Sequence, residues 1–458
     1  MSPRTIHLVG IGGAGMSGLA RLAAQAGYVV SGTDRDDSDV LRALREIGVD
    51  ARVGHTADAL PADADAVVVS TAIAADNPEL AAATTRGLAV MHRADLLAEL
   101  MSARRGLAVA GAHGKSTTSA MLAQALGDAS ACIGATVAGG GGTGAVWGDG
   151  PWFVAEADES DRSLLKLAPE AAILLNVDHD HHTTYASLDE VAAVFRAFIR
   201  RLPRTGVLIV GPDARARAVA EAAPCTVRII GDVPDAFCSV SGGGDAAMLV
   251  MTDGRHIPLD LAVPGHHNRT NAACAVALAD WCGVDPATAV ARLRTFTGVG
   301  RRFEHRGTVG GVTIVDDYAH HPVEITATLS AARSRHPGRI VVLFQPHLYS
   351  RTKALLGEFG QALGAADLVV VTDIYAAREP LDPSISGRDV AEAVPPSTDA
   401  RFIPGLDDAC DAIAPELRAG DLVLTVGAGD VTRAGQELIT RLQRRLGDGG
   451  DAHELDAP

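Results

Sequence analysis

The sequence predicts an α/β fold laid out as three successive blocks of alternating strands and helices. Short apolar runs keep alternating with helix-forming stretches along the chain, which is the rhythm of βα units. Two of those runs end in glycine turns that open onto helices, one at Gly10 to Gly15 and one at Gly111 to Gly114. The length, 458 residues, exceeds what one core should hold, so roughly two to four domains are expected.

Composition narrows the class. Apolar residues make up 47% of the chain, ample for packed domains, and the net charge of −16 argues against general nucleic-acid binding. The apolar run at the N-terminus is broken by Gly10, too soon for a signal peptide. No stretch is long and apolar enough to read as a membrane span. Cysteines 132, 225, 238, 274, 282 and 410 are scattered without metal or redox spacing, so a reducing, cytoplasmic compartment is expected.

The first block opens with a strand at Thr5–Val9, then Gly10-Ile-Gly-Gly-Ala-Gly15 and a helix from Met16 to Ala26. A second strand starts at Tyr28, and Asp34 stands at its end. This is the dinucleotide fingerprint with an acid about twenty residues on. Alone it suggests NAD, although any pyrophosphate can use such a turn. A strand at residues 66–70 ends in Ser70 and Thr71, positions that face ligands in open α/β sheets or simply cap the next helix. A helix at 78–86, a strand at 89–91 and a helix at 94–101 follow, then a linker at 102–105.

The second block begins with the apolar run Leu107–Ala110, the turn Gly111-Ala-His-Gly114, and a helix opened by Lys115, Ser116 and Thr117. Strand, glycine turn, Lys-Ser and helix make a phosphate cradle, in the short form G-x-x-G-K-S. Backbone N–H groups reach phosphate oxygens at the helix start, Lys115 is placed for the β- and γ-phosphates, and the Ser116 hydroxyl for Mg²⁺. Gly139 to Gly142 are expected to form a flexible loop. A strand at 152–155 ends in the acidic run Glu156 to Asp161, and Glu156 is the expected second Mg²⁺ ligand. After a strand at 171–175 comes Asn176-Val-Asp-His-Asp-His-His-Thr-Thr-Tyr185, read as a metal-proximal or substrate-facing rim. Residues 226–263 read as short strands with glycine-rich turns. Asn268 and Asn271 lie one turn apart on a long alanine-rich helix, placed to meet a base edge or to cap the helix.

Gly298 to Phe303 reads as a hinge into the third block, with Arg301 and Arg302 suited to a transferring phosphoryl group. Further strands are expected at 313–315, 339–344, 368–372 and 421–426, with helices at 322–335 and 352–363. Polar groups gather at the strand ends, in Asp316 to Pro322, Gln345 to Thr352, Tyr375 to Glu379 and Gly427 to Asp430.

Taken together, Gly10 to Gly18, Gly111 to Thr117, Glu156 to Asp161, Asp180-His181, His267 to Asn271, Arg301 to Glu304, Asp316 to Pro322 and Gln345 to Arg351 resemble the Mur ligases, in order, from about residue 5 to residue 435. The resemblance implies a Rossmann-like N-terminal domain that binds a UDP-sugar (1–103), a central P-loop ATPase domain with a mainly parallel sheet (104–304) and a Rossmann-like C-terminal domain that binds the amino acid (305–446). Residues 447–458 are expected to be a disordered tail. The chain departs from the family at Ala112, where Thr is usual, at Ser116, where Thr is commoner, and at Asp178-His179, where Glu-Ala is commoner. Several members carry a carbamylated lysine in the central domain; with lysines only at 115, 166 and 353, no candidate for it is seen.

What the resemblance implies is ATP-dependent joining of L-alanine to the lactyl carboxylate of UDP-N-acetylmuramate through an acyl phosphate, in peptidoglycan synthesis. A tripeptide-adding recycling branch shares most of the motifs, and Gly12-Gly13 with Met16-Ser17 lean away from it. The implied catalytic residues are Lys115, Glu156, His181 and Arg302. ATP would meet Gly111, Ala112, His113, Gly114, Lys115, Ser116, Thr117, Asn268, Asn271, Arg302 and Asp317. The UDP-sugar would meet Gly12, Gly13, Ala14, Gly15, Met16, Ser17, Asp34, Ser70 and Thr71, and the amino acid His320, His347 and Arg351. Mg²⁺ would be held by Ser116, Glu156 and His181. Small-molecule substrates, no nucleic acid, no membrane, and a monomer or weak homodimer complete the expectation.

Overall fold

A computed structural model describes residues 3–137, 143–180, 184–243, 246–377 and 379–450. The chain forms two compact units: residues 1–179, 187–261 and 269–297 make the first, and residues 180–186, 262–268 and 298–458 the second.

The first unit holds the first block and most of the second; residues 180–186, 262–268 and 298–304 of the second block belong to the other unit. Strands β1 (Thr5–Val9), β2 (Val29–Asp34), β3 (Asp50–Val53), β4 (Ala66–Val69) and β5 (Ala89–His92) form an all-parallel sheet in the order β3-β2-β1-β4-β5. The chain leaves β1 toward β2 on one side and reaches β4 on the other, so the glycine turn after β1 sits at the switch point where such sheets bind ligands. β3 was not anticipated. It is an edge strand in which only Ala51 is buried, so it carries no apolar run to read. The helix Asp39–Glu46 was missed for a similar reason: Ser38 caps it by accepting from Leu41 N, but only Leu41 and Leu44 face inward.

The second sheet runs β6 (Arg105–Ala110), β7 (Ser130–Cys132), β8 (Ala145–Val146), β9 (Trp152–Glu156), β10 (Ala171–Leu174), β11 (Val207–Val210) and β12 (Thr226–Ile229), in the order β12-β11-β10-β6-β9-β7-β8. Its pairs are parallel except β7 with β8. The apolar residues of the central strands are buried, and each such Val, Leu or Ile contributes about 1.5–3 kcal/mol. β6 lies between β9 and β10, so the turn at Gly111, Glu156 and Asn176 emerge side by side. The stretch expected as short strands supplies β12 to the parallel sheet, and β13 (Cys238–Ser241), β14 (Met248–Met251) and β15 (His256–Pro258) form a small antiparallel sheet.

The second unit is built on β16 (Glu304–Val309), β17 (Val312–Asp317), β18 (Ile340–Phe344), β19 (Leu368–Val371), β20 (Asp399–Phe402) and β21 (Leu422–Val426), in the order β16-β17-β21-β18-β19-β20. Only β16 runs antiparallel. The helix expected at 352–363 is two, Tyr349–Ala354 and Leu356–Leu363, parted at Leu355, whose φ of −116° leaves the helical range. The last helix, Thr432–Gly450, runs past 446 into the expected tail; 451–458 lie outside the described residues. All six cysteines are free thiols. No helix among the described residues is long and apolar enough to cross a membrane.

Candidate active site

The phosphate cradle takes its shape from two glycines that only glycine accommodates. Gly111 has φ +142° and Gly114, the N-cap of the helix Lys115–Leu126, has φ +84°. A Cβ on Gly111 would stand 3.0 Å from Leu175, and one on Gly114 3.2 Å from Asn271 Oδ1. No side chain caps this helix and its first turn carries no acid, so its leading amides suit an anion. Asn176 at the end of β10 grips the loop: its Oδ1 accepts from His113 N at 2.8 Å, its Nδ2 donates to His113 O at 3.0 Å, and its own carbonyl accepts from Ala112 N at 3.3 Å.

Lys115 folds back over this loop. Its Nζ donates to Gly111 O at 2.8 Å and to Glu159 Oε1 at 3.0 Å. Burial works against the lysine charge, but Glu159, Asp158 and Glu156 outweigh it and lift the pKa above its ordinary value. Ser116 Oγ donates to Glu156 Oε1 at 3.0 Å, and Glu156 Oε2 accepts from Gly134 N at 2.8 Å. A hydroxyl and a carboxylate converging at a phosphate cradle are hard oxygen donors, the kind Mg²⁺ takes. Glu159 was missed: the acidic run was visible, but not that this acid, 2% exposed, pairs with the lysine. His113 Nε2 lies 3.5 Å from Asp178 Oδ2. His181 and Gly139 to Gly142 lie outside the described residues.

The first glycine turn is held from β2. Thr33 O accepts from Gly10 N at 2.8 Å and Ile11 N at 2.9 Å, and Asp34 Oδ2 accepts from Gly12 N at 2.8 Å. Asp34 therefore braces the turn. Gly13 caps the helix Ala14–Gln25 without a side-chain bond, and Ser17 N closes on Gly13 O at 2.8 Å. Gly15 lies against Arg93, whose Nη2 donates to Asp161 Oδ2 at 3.0 Å. Met16 is buried. Ser70 Oγ accepts from Ala72 N at 3.3 Å in a local turn beside an exposed Thr71, and it caps no helix, since Asn77 caps the next one, Pro78–Thr85.

In the second unit, Arg301 and Arg302 sit at the start of the third block with Arg301 at φ +57° and Phe303 at φ +51°. Arg302 Nη1 donates to Glu324 Oε1 at 3.0 Å and its guanidinium lies 5.4 Å from the Tyr318 ring centre. Burial opposes the Arg302 charge, and Glu324 and Asp317 more than restore it. Asp317 accepts from Phe303 N at 2.9 Å and Ala319 N at 2.8 Å. Burial pushes its carboxyl up to about 6 despite Arg302 and those amides. His320 Nδ1 lies 2.9 Å from Tyr318 O, and the rings of His320 and His347 are 6.0 Å apart. Arg351 is 3% exposed and engaged by Asp180 and His347. Asn268 Nδ2 donates to Pro264 O at 2.6 Å. Tyr375, at the head of the polar run 375–379, stacks on His347 with ring centres 5.8 Å apart.

The structure thus brings Lys115, Ser116, Glu156 and Asn271 together in the first unit, and Arg302, Asp317, His320, His347 and Arg351 in the second.

Three family models match in order: the Mur ligase family catalytic domain over residues 5–105, the Mur ligase middle domain over 149–279, and the Mur ligase glutamate ligase domain over 301–429. The UDP-N-acetylmuramate–L-alanine ligase of Kineococcus radiotolerans is 47% identical, covering 96% of each chain, and that of Streptomyces avermitilis is 44% identical over 96% of this chain and 97% of its own. Among solved structures, UDP-N-acetylmuramate–alanine ligase MurC from Thermotoga maritima aligns with a TM-score of 0.80 at 28% identity, over 96% of this chain and 99% of that one. A murein peptide ligase from Psychrobacter arcticus aligns with a TM-score of 0.70 at 25% identity, over 96% and 98%.

Proposed function

The chain belongs to the Mur ligase family, and from that premise we propose that it joins L-alanine to UDP-N-acetylmuramate, giving UDP-N-acetylmuramoyl-L-alanine, ADP and phosphate. The observation that carries the reading is the convergence of Lys115, Ser116 and Glu156 at one helix start, in a chain that matches alanine-adding ligases over 96% of its length. The reaction belongs to peptidoglycan synthesis, and we place it in the cytoplasm.

A carboxylate is a poor acyl donor at neutral pH. Transfer of the ATP γ-phosphoryl group to the lactyl carboxylate makes an acyl phosphate. The L-alanine amine then adds to its carbonyl carbon, and the tetrahedral intermediate collapses with loss of phosphate. The first step brings two anions together, so the chain must supply positive charge. Lys115 exchanges Gly111 O and Glu159 for phosphate oxygens, and its raised pKa keeps it cationic. The open amides after Gly114 take the remaining phosphate charge. Arg302 is the proposed second cation, steadied by Glu324 and Tyr318. Ser116 and Glu156 would hold Mg²⁺, which when bound neutralises phosphate charge; His181 is proposed as a further ligand on resemblance alone. Asn268, Asn271 and Asp317 are proposed for the nucleoside of ATP, His320, His347 and Arg351 for L-alanine. Gly12 to Ser17, Asp34, Ser70 and Thr71 are proposed for the UDP-sugar.

The test is phosphate release with ATP, Mg²⁺ and UDP-N-acetylmuramate, with and without L-alanine, and with a murein tripeptide instead. Stimulation by L-alanine is expected. Stimulation by the tripeptide alone would make the chain a recycling ligase, and no release with either would remove the ligase reading.

A further inference from the structure

Glu79 has no place in the chemistry above, yet it is among the most enclosed acids in the chain, 0% exposed beneath the first glycine turn. Four side chains from three directions address its carboxylate or one another. His7 Nε2 of β1 lies 2.7 Å from Glu79 Oε2, and its Nδ1 lies 2.8 Å from Ser31 Oγ of β2. Thr33 Oγ1 donates to Oε1 and Oε2 at 2.8 and 2.9 Å. His55 Nδ1, beyond the end of β3, lies 2.8 Å from Oε1. A buried carboxylate is costly, and apolar packing of similar volume often folds as well. A cluster of this kind beside a ligand-binding turn is therefore best explained by what it holds in place.

Two loops are tied by it. Thr33 donates its hydroxyl to Glu79 while its carbonyl accepts from Gly10 N and Ile11 N, so one residue links the carboxylate to the glycine turn. Glu79 itself stands near the start of the helix Pro78–Thr85, its N–H bonded to Asn77 Oδ1 at 2.9 Å. That helix ends the loop from Ser70, whose Ile73 packs against Gly10. Both loops flank the switch point between β1 and β4.

We propose that Glu79 is a positioning residue for the UDP-sugar, setting the spacing between the Gly10–Gly15 turn and the Ser70–Asn77 loop through Thr33, His7 and His55. This rests on the reading that the glycine turn receives UDP-N-acetylmuramate. The experiment uses the full chain as wild type, Glu79→Gln, Glu79→Ala, Thr33→Val and Thr33→Ser. Calorimetric binding of UDP-N-acetylmuramate is measured alongside KM for each substrate and kcat. Glu79→Ala and Thr33→Val are expected to raise Kd and KM for the UDP-sugar about tenfold, with KM for ATP and kcat within about twofold. Thr33→Ser, which keeps the hydroxyl, is expected to rescue the affinity. If Glu79→Ala does not fold, Glu79→Gln and Thr33→Val carry the test. An unchanged Kd in folded variants, or KM values for ATP and UDP-sugar rising together, would overturn the proposal. Failure of the wild type itself to bind the UDP-sugar would instead sink the assignment of the glycine turn.

Discussion

Arg351 and Asp180 stand 171 positions apart and meet on a single oxygen: Nε and Nη2 of the guanidinium lie 3.1 and 2.5 Å from Asp180 Oδ1. Nη1 turns to His347 Nδ1 at 3.1 Å. Both members of the pair are almost sealed from water. Such a pair gains little over apolar packing but is costly to halve. Arg351→Ala is expected to destabilise the chain by about 3–5 kcal/mol, and adding Asp180→Ala to recover part of that loss. Urea unfolding of the two single variants and the double variant measures it. Additive losses would show that the two residues do not act as a pair.

Removing Ser116 or Glu156, two of the three proposed magnesium ligands, should affect chemistry and spare the UDP-sugar. Ser116→Ala and Glu156→Ala are each expected to lower phosphate release by about a hundredfold or more. Binding of UDP-N-acetylmuramate should remain within about twofold of wild type. Loss of UDP-sugar binding in Glu156→Ala would contradict its assignment to the metal.

Asn176 offers a sharper test of the cradle. Its side chain makes two bonds to His113, worth about 1–3 kcal/mol together. Asn176→Ala is expected to raise KM for ATP by about tenfold to a hundredfold. Asn176→Asp keeps the acceptor for His113 N and should lose less. Equal effects in both would mean that the donor bond carries the loop.

Asp317 makes stability depend on pH in an unusual direction. Its folded pKa, about 6, lies above the ordinary 3.8, so the folded chain holds this proton more tightly than the unfolded chain does. The associated stability is present below about pH 4 and is lost as pH rises through 6. The stability of wild type relative to Asp317→Asn should therefore fall by on the order of 2–3 kcal/mol between pH 4 and pH 7.5. Urea midpoints at the two pH values, taken for both proteins, check the sign. A difference that grows with pH would show a carboxylate stabilised in its charged form.

Local signals were legible in the sequence. The strand–turn–helix at 105–126 could be read because its apolar run, its glycines and its helix formers are adjacent, and the same holds for β1 and its turn. Contacts made by topology were hidden. Asn176 meets His113, 63 positions away, only because β10 pairs with β6. Asp180 stands next to His181 in the sequence, and nothing near it points to Arg351. Edge strands such as β3 and β20 were missed because charge protects their open sides where an apolar run would be needed to see them. The helix break at Leu355 falls just before Gly357, a weak helix former whose signal the flanking helix formers masked.

With lysine at only three positions, the chain sorts its primary amines by reactivity. Lys166 and Lys353 are at the surface, paired with Asp95 at 2.8 Å and Asp382 at 3.3 Å. Lys115 is enclosed, and three carboxylates hold it protonated. Amine-directed acylation at neutral pH thus has two accessible lysine handles, Lys166 and Lys353. Coupling to a surface or a fluorophore through them leaves the enclosed, protonated Lys115 unmodified.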